Sequence, residues 1–206
     1  MTDPLFDATR RVQRAWSADG LSELTAGFLF LAPALLEWSK LGFDKQDPAW
    51  RVLNVLQMLV VFPGVWIAQW ALPRLRNRFF GSREGIMIPR LAPEGVAKAA
   101  AIAIVAAMTA AVFVAMRSAA HWVTLTILLS GFGAGFILFL IGRSTGLTRY
   151  LVAGPVIVLI SAAIAALDRS FESLFVAEFG IIGAILTAMG VMSLRRFLQT
   201  PPSAAQ

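Results

Sequence analysis

Down this chain, runs of about twenty apolar residues, the length that crosses a ~30 Å hydrocarbon core as a helix, alternate with short polar stretches. The pattern predicts six spans, at about Leu21 to Leu41, Trp50 to Leu72, Ala99 to Met116, Trp122 to Gly142, Leu151 to Leu167 and Leu174 to Leu194. Ahead of them, residues 4 to 16 place Leu5, Val12 and Trp16 on one stripe and spread Arg10, Arg11 and Arg14 over the rest. That is the pattern of a short amphipathic helix lying in the headgroup layer. Asp19 is placed to N-cap the first span, with Ser22 and Glu23 in its first turn. The second span is expected to stop at Pro73. In the polar connection that follows, residues 74 to 98, Gly81 to Gly85 separate Arg78-Phe79-Phe80 from Ile86-Met87-Ile88, which predicts a small β-hairpin at the membrane surface. Pro33, Pro63 and Pro155 each remove one hydrogen bond near mid-span, which can kink a helix or open a cavity. The expected fold is an all-α membrane protein: a six-transmembrane-helix bundle forming one membrane domain over residues 1 to 206.

Composition strengthens this reading, because 58% of the 206 residues are hydrophobic and 15% charged, against roughly 45–50% and 25% in a soluble domain. The charges set the orientation, since cytoplasmic connections retain lysine and arginine. With the N-terminus inside, only Lys40, Lys45, Arg51, Arg117 and Arg169 of the 18 basic residues fall outside, and Trp38, Trp50 and Trp122 collect at the outer interface. Both termini are therefore expected in the cytoplasm. Asp3, Asp7, Arg10, Arg11, Arg14 and Asp19 interrupt the first twenty residues, so insertion is expected to start from an uncleaved first helix.

The segment Trp16-Ser17-Ala18-Asp19-Gly20-Leu21-Ser22-Glu23-Leu24, with Arg83-Glu84-Gly85-Ile86 two spans later, resembles a group of small bacterial inner-membrane proteins. Its members carry an aromatic residue and Asp-Gly-Leu-x-Glu-Leu before the first span, and Pro-Arg-Thr-Gly-Tyr in the basic loop. Here Ser82, Glu84 and Ile86 stand in place of that proline, threonine and tyrosine. The resemblance covers about the first hundred residues and implies a bacterial inner (plasma) membrane location without an activity.

Most membrane enzyme chemistries are excluded by the residues at hand. Cysteine is absent and His121 is the single histidine, which removes thiolate sites and paired-histidine metal sites. Asp3, Asp7, Asp19, Asp44, Asp47 and Asp168 all lie outside the proposed spans, so there is no intramembrane aspartyl dyad. Ser130 precedes Gly131, but Leu128 stands where a nucleophile elbow needs glycine. No phosphate loop occurs, and neither a cofactor nor a metal is expected. An enzyme acting on lipid would have to use Glu84, Glu94 and the loop arginines.

The intramembrane polar residues are the remaining candidates. Glu37 lies about 9 Å outward of the first span's midpoint, at ~1.5 Å per residue, where an ionised carboxylate must be protonated, paired or hydrated. Glu23 shares its face fourteen residues earlier, with Gly27, Phe30 and Ala34 between them. On the second span Asn54 and Gln57 occupy a similar depth, at the outer end of a face that continues through Val61, Gly64 and Ala68. Together Glu37, Asn54 and Gln57 form a possible proton, cation or substrate site; the alternative is that Glu37 reaches the interface beside Trp38 and Lys40 while the amides bond across the helix pair. Glu178 shares a stripe with Ile182, Ile185 and Met189, opposite Gly183, Thr187 and Gly190, which are expected to be the close-packing residues of that span. That stripe either lines a cavity or lets the carboxylate reach the headgroups, and the second is the expectation.

Gly131 and Gly135 in the fourth span, and Ala103 and Ala107 in the third, are expected to pack helices closely. Arg74, Arg76, Arg78, Arg83, Arg90 and Lys98 are expected to meet anionic lipid headgroups, with no role for nucleic acid. Two functions stay open: a small proton- or cation-linked transporter or channel-like protein, and a non-catalytic scaffold or accessory subunit. The expected partners are the bilayer itself and either a further copy, as a homo-oligomer, or another membrane protein.

Overall fold

A computed structural model describes residues 19–84, 122–167 and 169–199. They form five helices: α1 (Leu21–Lys40), α2 (Pro48–Glu84), α3 (Trp122–Thr145), α4 (Thr148–Ala165) and α5 (Phe171–Gln199), with no strand among the described residues. The leading amphipathic helix and the third span, with Ala103 and Ala107, lie outside the described residues. Four helices, α1, α3 from Val123, α4 and α5, are long and apolar enough to cross a membrane.

Burial is inverted relative to a water-soluble fold, which hides its large apolar side chains and solvates its charges. Trp66 is 78% exposed, Leu159 69% and Phe28 64%, while Asp19, Glu23, Lys40 and Glu178 are buried. A surface this apolar over so many helical turns needs hydrocarbon against it.

α1 starts at Leu21 as expected, but its cap is one residue later than Asp19. Gly20, at φ 76°, is the N-cap, and Asp19 accepts the Leu21 backbone N–H at 3.0 Å from one position further back. Pro48 opens α2, where its missing N–H would have had no helical partner, and the Asp47 carboxylate accepts the Ala49 N–H at 2.8 Å.

Two expectations about α2 are overturned. The helix does not stop at Pro73 but runs to Glu84, and residues 78–84 continue it instead of forming half of a β-hairpin. A proline removes one bond from a ladder whose neighbouring bonds remain, and beside it the Arg74 guanidinium donates to the Trp70 carbonyl at 3.0 Å. Extending a formed helix fixes one residue per new bond, whereas an isolated two-stranded hairpin is marginal. Pro33 and Pro155 are likewise accommodated inside α1 and α4.

Among the described residues, α1, α2 and α5 from Phe175 onward make one compact unit, and α3 with α4 another. In the second unit Gly146, at φ 71°, donates its N–H to the Gly142 carbonyl at 2.8 Å and turns the chain back on itself. The returning helix packs almost backbone to backbone. A Cβ on Gly135 would stand 2.5 Å from the Gly154 carbonyl oxygen, and one on Gly142 2.7 Å from the Leu151 nitrogen. Gly135 is thus the close-packing residue expected, and Gly131 is buried one turn earlier.

In the first unit α1 and α5 run antiparallel, and glycines seven residues apart on each helix line the seam. Gly20 and Gly27 face Gly190 and Gly183, so that a Cβ on Gly183 would stand 2.8 Å from the Leu31 nitrogen and one on Gly190 2.7 Å from the Leu24 nitrogen. Thr187 fills the space beside Gly27. Beyond the glycines the seam continues as an aromatic contact, Phe30 to Phe179, with ring centroids 5.1 Å apart. Small residues matter here because lipid tails are as apolar as leucine, so helices associate through close contact and not through exclusion of water.

Replacing Gly183 by valine should therefore force α1 and α5 apart and lower stability by roughly 1–3 kcal/mol, the usual penalty of overpacking. Gly180 has open space around its Cβ position, so Gly180→Ala should be neutral or stabilising by up to ~1 kcal/mol. Unfolding of the detergent-solubilised variants, followed by circular dichroism, distinguishes the two.

Candidate functional site

The connecting end of the α1–α2 hairpin gathers Glu37, Asn54 and Gln57 around Lys40, which the sequence reading placed beside Glu37 at the interface. Lys40 is the last residue of α1. A lysine there complements the negative end of the helix dipole, and its stem is long enough to carry the ammonium to the headgroups. Instead the side chain lies between the helices, 4% exposed, and forms an ion pair with Glu37 one turn back. From α2 the Gln57 side-chain oxygen accepts a hydrogen bond from the Lys40 ammonium at 2.7 Å and the Asn54 oxygen accepts another at 3.3 Å. The Trp50 ring stands 5.2 Å from the ammonium nitrogen.

Local sequence explains the convergence. Glu37 and Lys40 are three residues apart on α1, and Asn54 and Gln57 are three apart on α2, so each pair shares a helix face. The short connection of residues 41–47 folds those two faces together. An ammonium has three N–H donors, and here a carboxylate and two amide oxygens take them. The aromatic face adds a favourable quadrupole contact.

The structure thus brings Glu37, Asn54 and Gln57 together, but with a protein cation already at their centre. A metal ion or sodium would have to displace the Lys40 ammonium. A proton arriving on Glu37 would instead cancel the charge that holds Lys40 in place. The spacing Glu37 to Lys40 was the signal for this arrangement; it is obscured because a lysine at a span end ordinarily reads as a headgroup contact.

Glu23 is not part of this cluster. It lies fourteen residues earlier on α1, about 21 Å along the axis, and is buried in the first turn next to the Gly20 approach. Glu178 does not extend to the headgroups as expected. It is fully buried, as is Ile182, because the packed face of α5 is wide enough to include their stripe as well as Gly183, Leu186 and Gly190.

Of the basic residues, Arg74 and Arg78 are exposed on the last turns of α2, and the Arg74 guanidinium lies 3.7 Å from the centre of the Trp70 ring. Arg76 and Arg83 belong to the same helix. Arg90 and Lys98 lie outside the described residues. Comparison of the chain with protein-family models, curated proteins and solved structures finds no match to any of them.

A buried pair that loses one partner leaves an uncompensated charge, at a penalty of about 3–5 kcal/mol, whereas replacing both partners by apolar groups is close to neutral. Lys40→Met and Glu37→Leu should therefore each destabilise the protein markedly, and the double variant should recover most of the loss. A double-mutant cycle on detergent-unfolding midpoints measures this directly.

Proposed function

We propose that this chain is a six-span protein of the bacterial inner membrane, with both termini cytoplasmic, that works as a non-catalytic scaffold or accessory subunit. The orientation and location derive from the asymmetry of lysine and arginine and from the resemblance of the first hundred residues. The observation that carries the functional reading is the closed state of the polar cluster: the acceptors on Glu37, Asn54 and Gln57 are directed at Lys40. A site that takes cargo presents its polar groups to a cavity. This one clamps two helices to each other, as a fixed platform requires.

One observation favours a second reading, proton-linked transport. An ion pair at the edge of a span is held together by a single carboxylate charge, and protonating Glu37 would release α1 from α2 at that end. In this reading Glu37 is the proton site, while Asn54 and Gln57 retain the lysine.

Purification in a mild detergent separates the two. A scaffold brings a second polypeptide with it in fixed stoichiometry, and the complex survives Glu37→Gln with reduced stability. A lone polypeptide that supports pH-dependent flux in reconstituted vesicles, lost in Glu37→Gln, would overturn the scaffold reading in favour of transport.

A further inference from the structure

A second feature of the α1–α2 hairpin lies toward its other end. There the two helices border a groove of about 360 Å³. Thr25, Phe28 and Leu29 of α1 form one wall; the other runs along α2 from Leu59 and Gly64 through Ala68 and Ala71 to Leu75. Its floor is made of small residues, Gly64 with Leu29 packed against it and then Ala68 and Ala71, whose lack of bulk leaves the space open. The walls are almost wholly apolar, and Phe28, Leu59, Ile67 and Leu75 are exposed along them.

Two cations continue the same stripe. Gly64, Ile67, Ala71, Arg74 and Arg78 recur at three- and four-residue intervals, so both arginines lie on the groove's face of α2. They are exposed, and by antiparallel pairing Arg74 is near the level of Leu21, where α1 begins. α2 has 37 residues, about 55 Å at 1.5 Å per residue, well over the ~30 Å of hydrocarbon. The turns bearing the arginines therefore reach the headgroup layer. The Trp70 carbonyl and ring hold the Arg74 guanidinium in a fixed orientation.

We infer that this groove binds one anionic phospholipid, with an acyl chain against Ala68 and Ala71 and its phosphate on Arg74 and Arg78. The groove's shape suits an unbranched chain, and the charge at its mouth selects the headgroup. Guanidinium groups pair with phosphate oxygens through two parallel N–H donors, which a zwitterionic headgroup partly neutralises with its own amine. This site is independent of the Lys40 cluster and holds whichever function that cluster serves.

The test is native mass spectrometry of the full chain released from nanodiscs of equimolar phosphatidylglycerol and phosphatidylcholine. The expected result is one tightly retained phosphatidylglycerol per chain. Ala68→Leu/Ala71→Leu should abolish the retention by filling the groove. Arg74→Gln and Arg78→Gln should each weaken the preference for phosphatidylglycerol by about fivefold, on the scale of one surface cation, while leaving an acyl chain bound. Because the arginines are exposed, those two variants test the site even if the alanine variant fails to fold. Equal retention of both lipids by the unaltered chain would overturn the proposal. So would a dimer that Ala68→Leu/Ala71→Leu splits, since a second copy would then occupy the groove.

Discussion

Hydrocarbon offers no hydrogen bonds, so every polar group carried into it must be satisfied by the protein itself. This single constraint accounts for the features on which the structure depends. It keeps the described spans helical, lets α2 continue through Pro63 and Pro73, and turns Lys40 inward onto Glu37, Asn54 and Gln57. A lysine one turn further out would meet water and need none of them.

The same solvent removes the usual reason for apolar side chains to cluster, so the helices are held by contact distance. The glycines of α1 and α5 are placed to allow near-contact of backbones, and Gly135, Gly142 and Gly154 do the same for α3 and α4. In the first unit the two devices act on opposite ends of one helix. α1 is fixed along its first half by α5 and at its last turn by the Lys40 clamp to α2. The stretch between α1 and α2 that neither device closes is the apolar groove.

Helix identity was legible in the sequence because length and hydropathy in a membrane leave few alternatives: α1, α3 and α4 begin and end close to the expected positions, while α5 runs on past its expected end at Leu194 to Gln199. Close packing at Gly135, Gly183 and Gly190 was legible for the same kind of reason: small residues at helical spacing have few other uses in a span. The extension of α2 was hidden because proline and glycine punctuate soluble helices more strongly than they do one already anchored by a span. The role of Lys40 was hidden by its position, which satisfies two rules at once; only the facing helix decides between headgroup and clamp. The burial of Glu178 depends on how wide a face α5 packs, a property of its neighbours and not of its own residues.

All of this depends on the Lys40 ammonium being enclosed between α1 and α2. Proteoliposomes treated with a membrane-impermeant amine reagent provide the most direct measurement, with peptide mapping to compare Lys40 with Lys45 in the exposed turn five residues on. Lys45 should be modified while Lys40 is protected, and Gln57→Ala should expose Lys40 to the reagent. Modification of Lys40 and Lys45 at equal rates in the unaltered protein would contradict that enclosure.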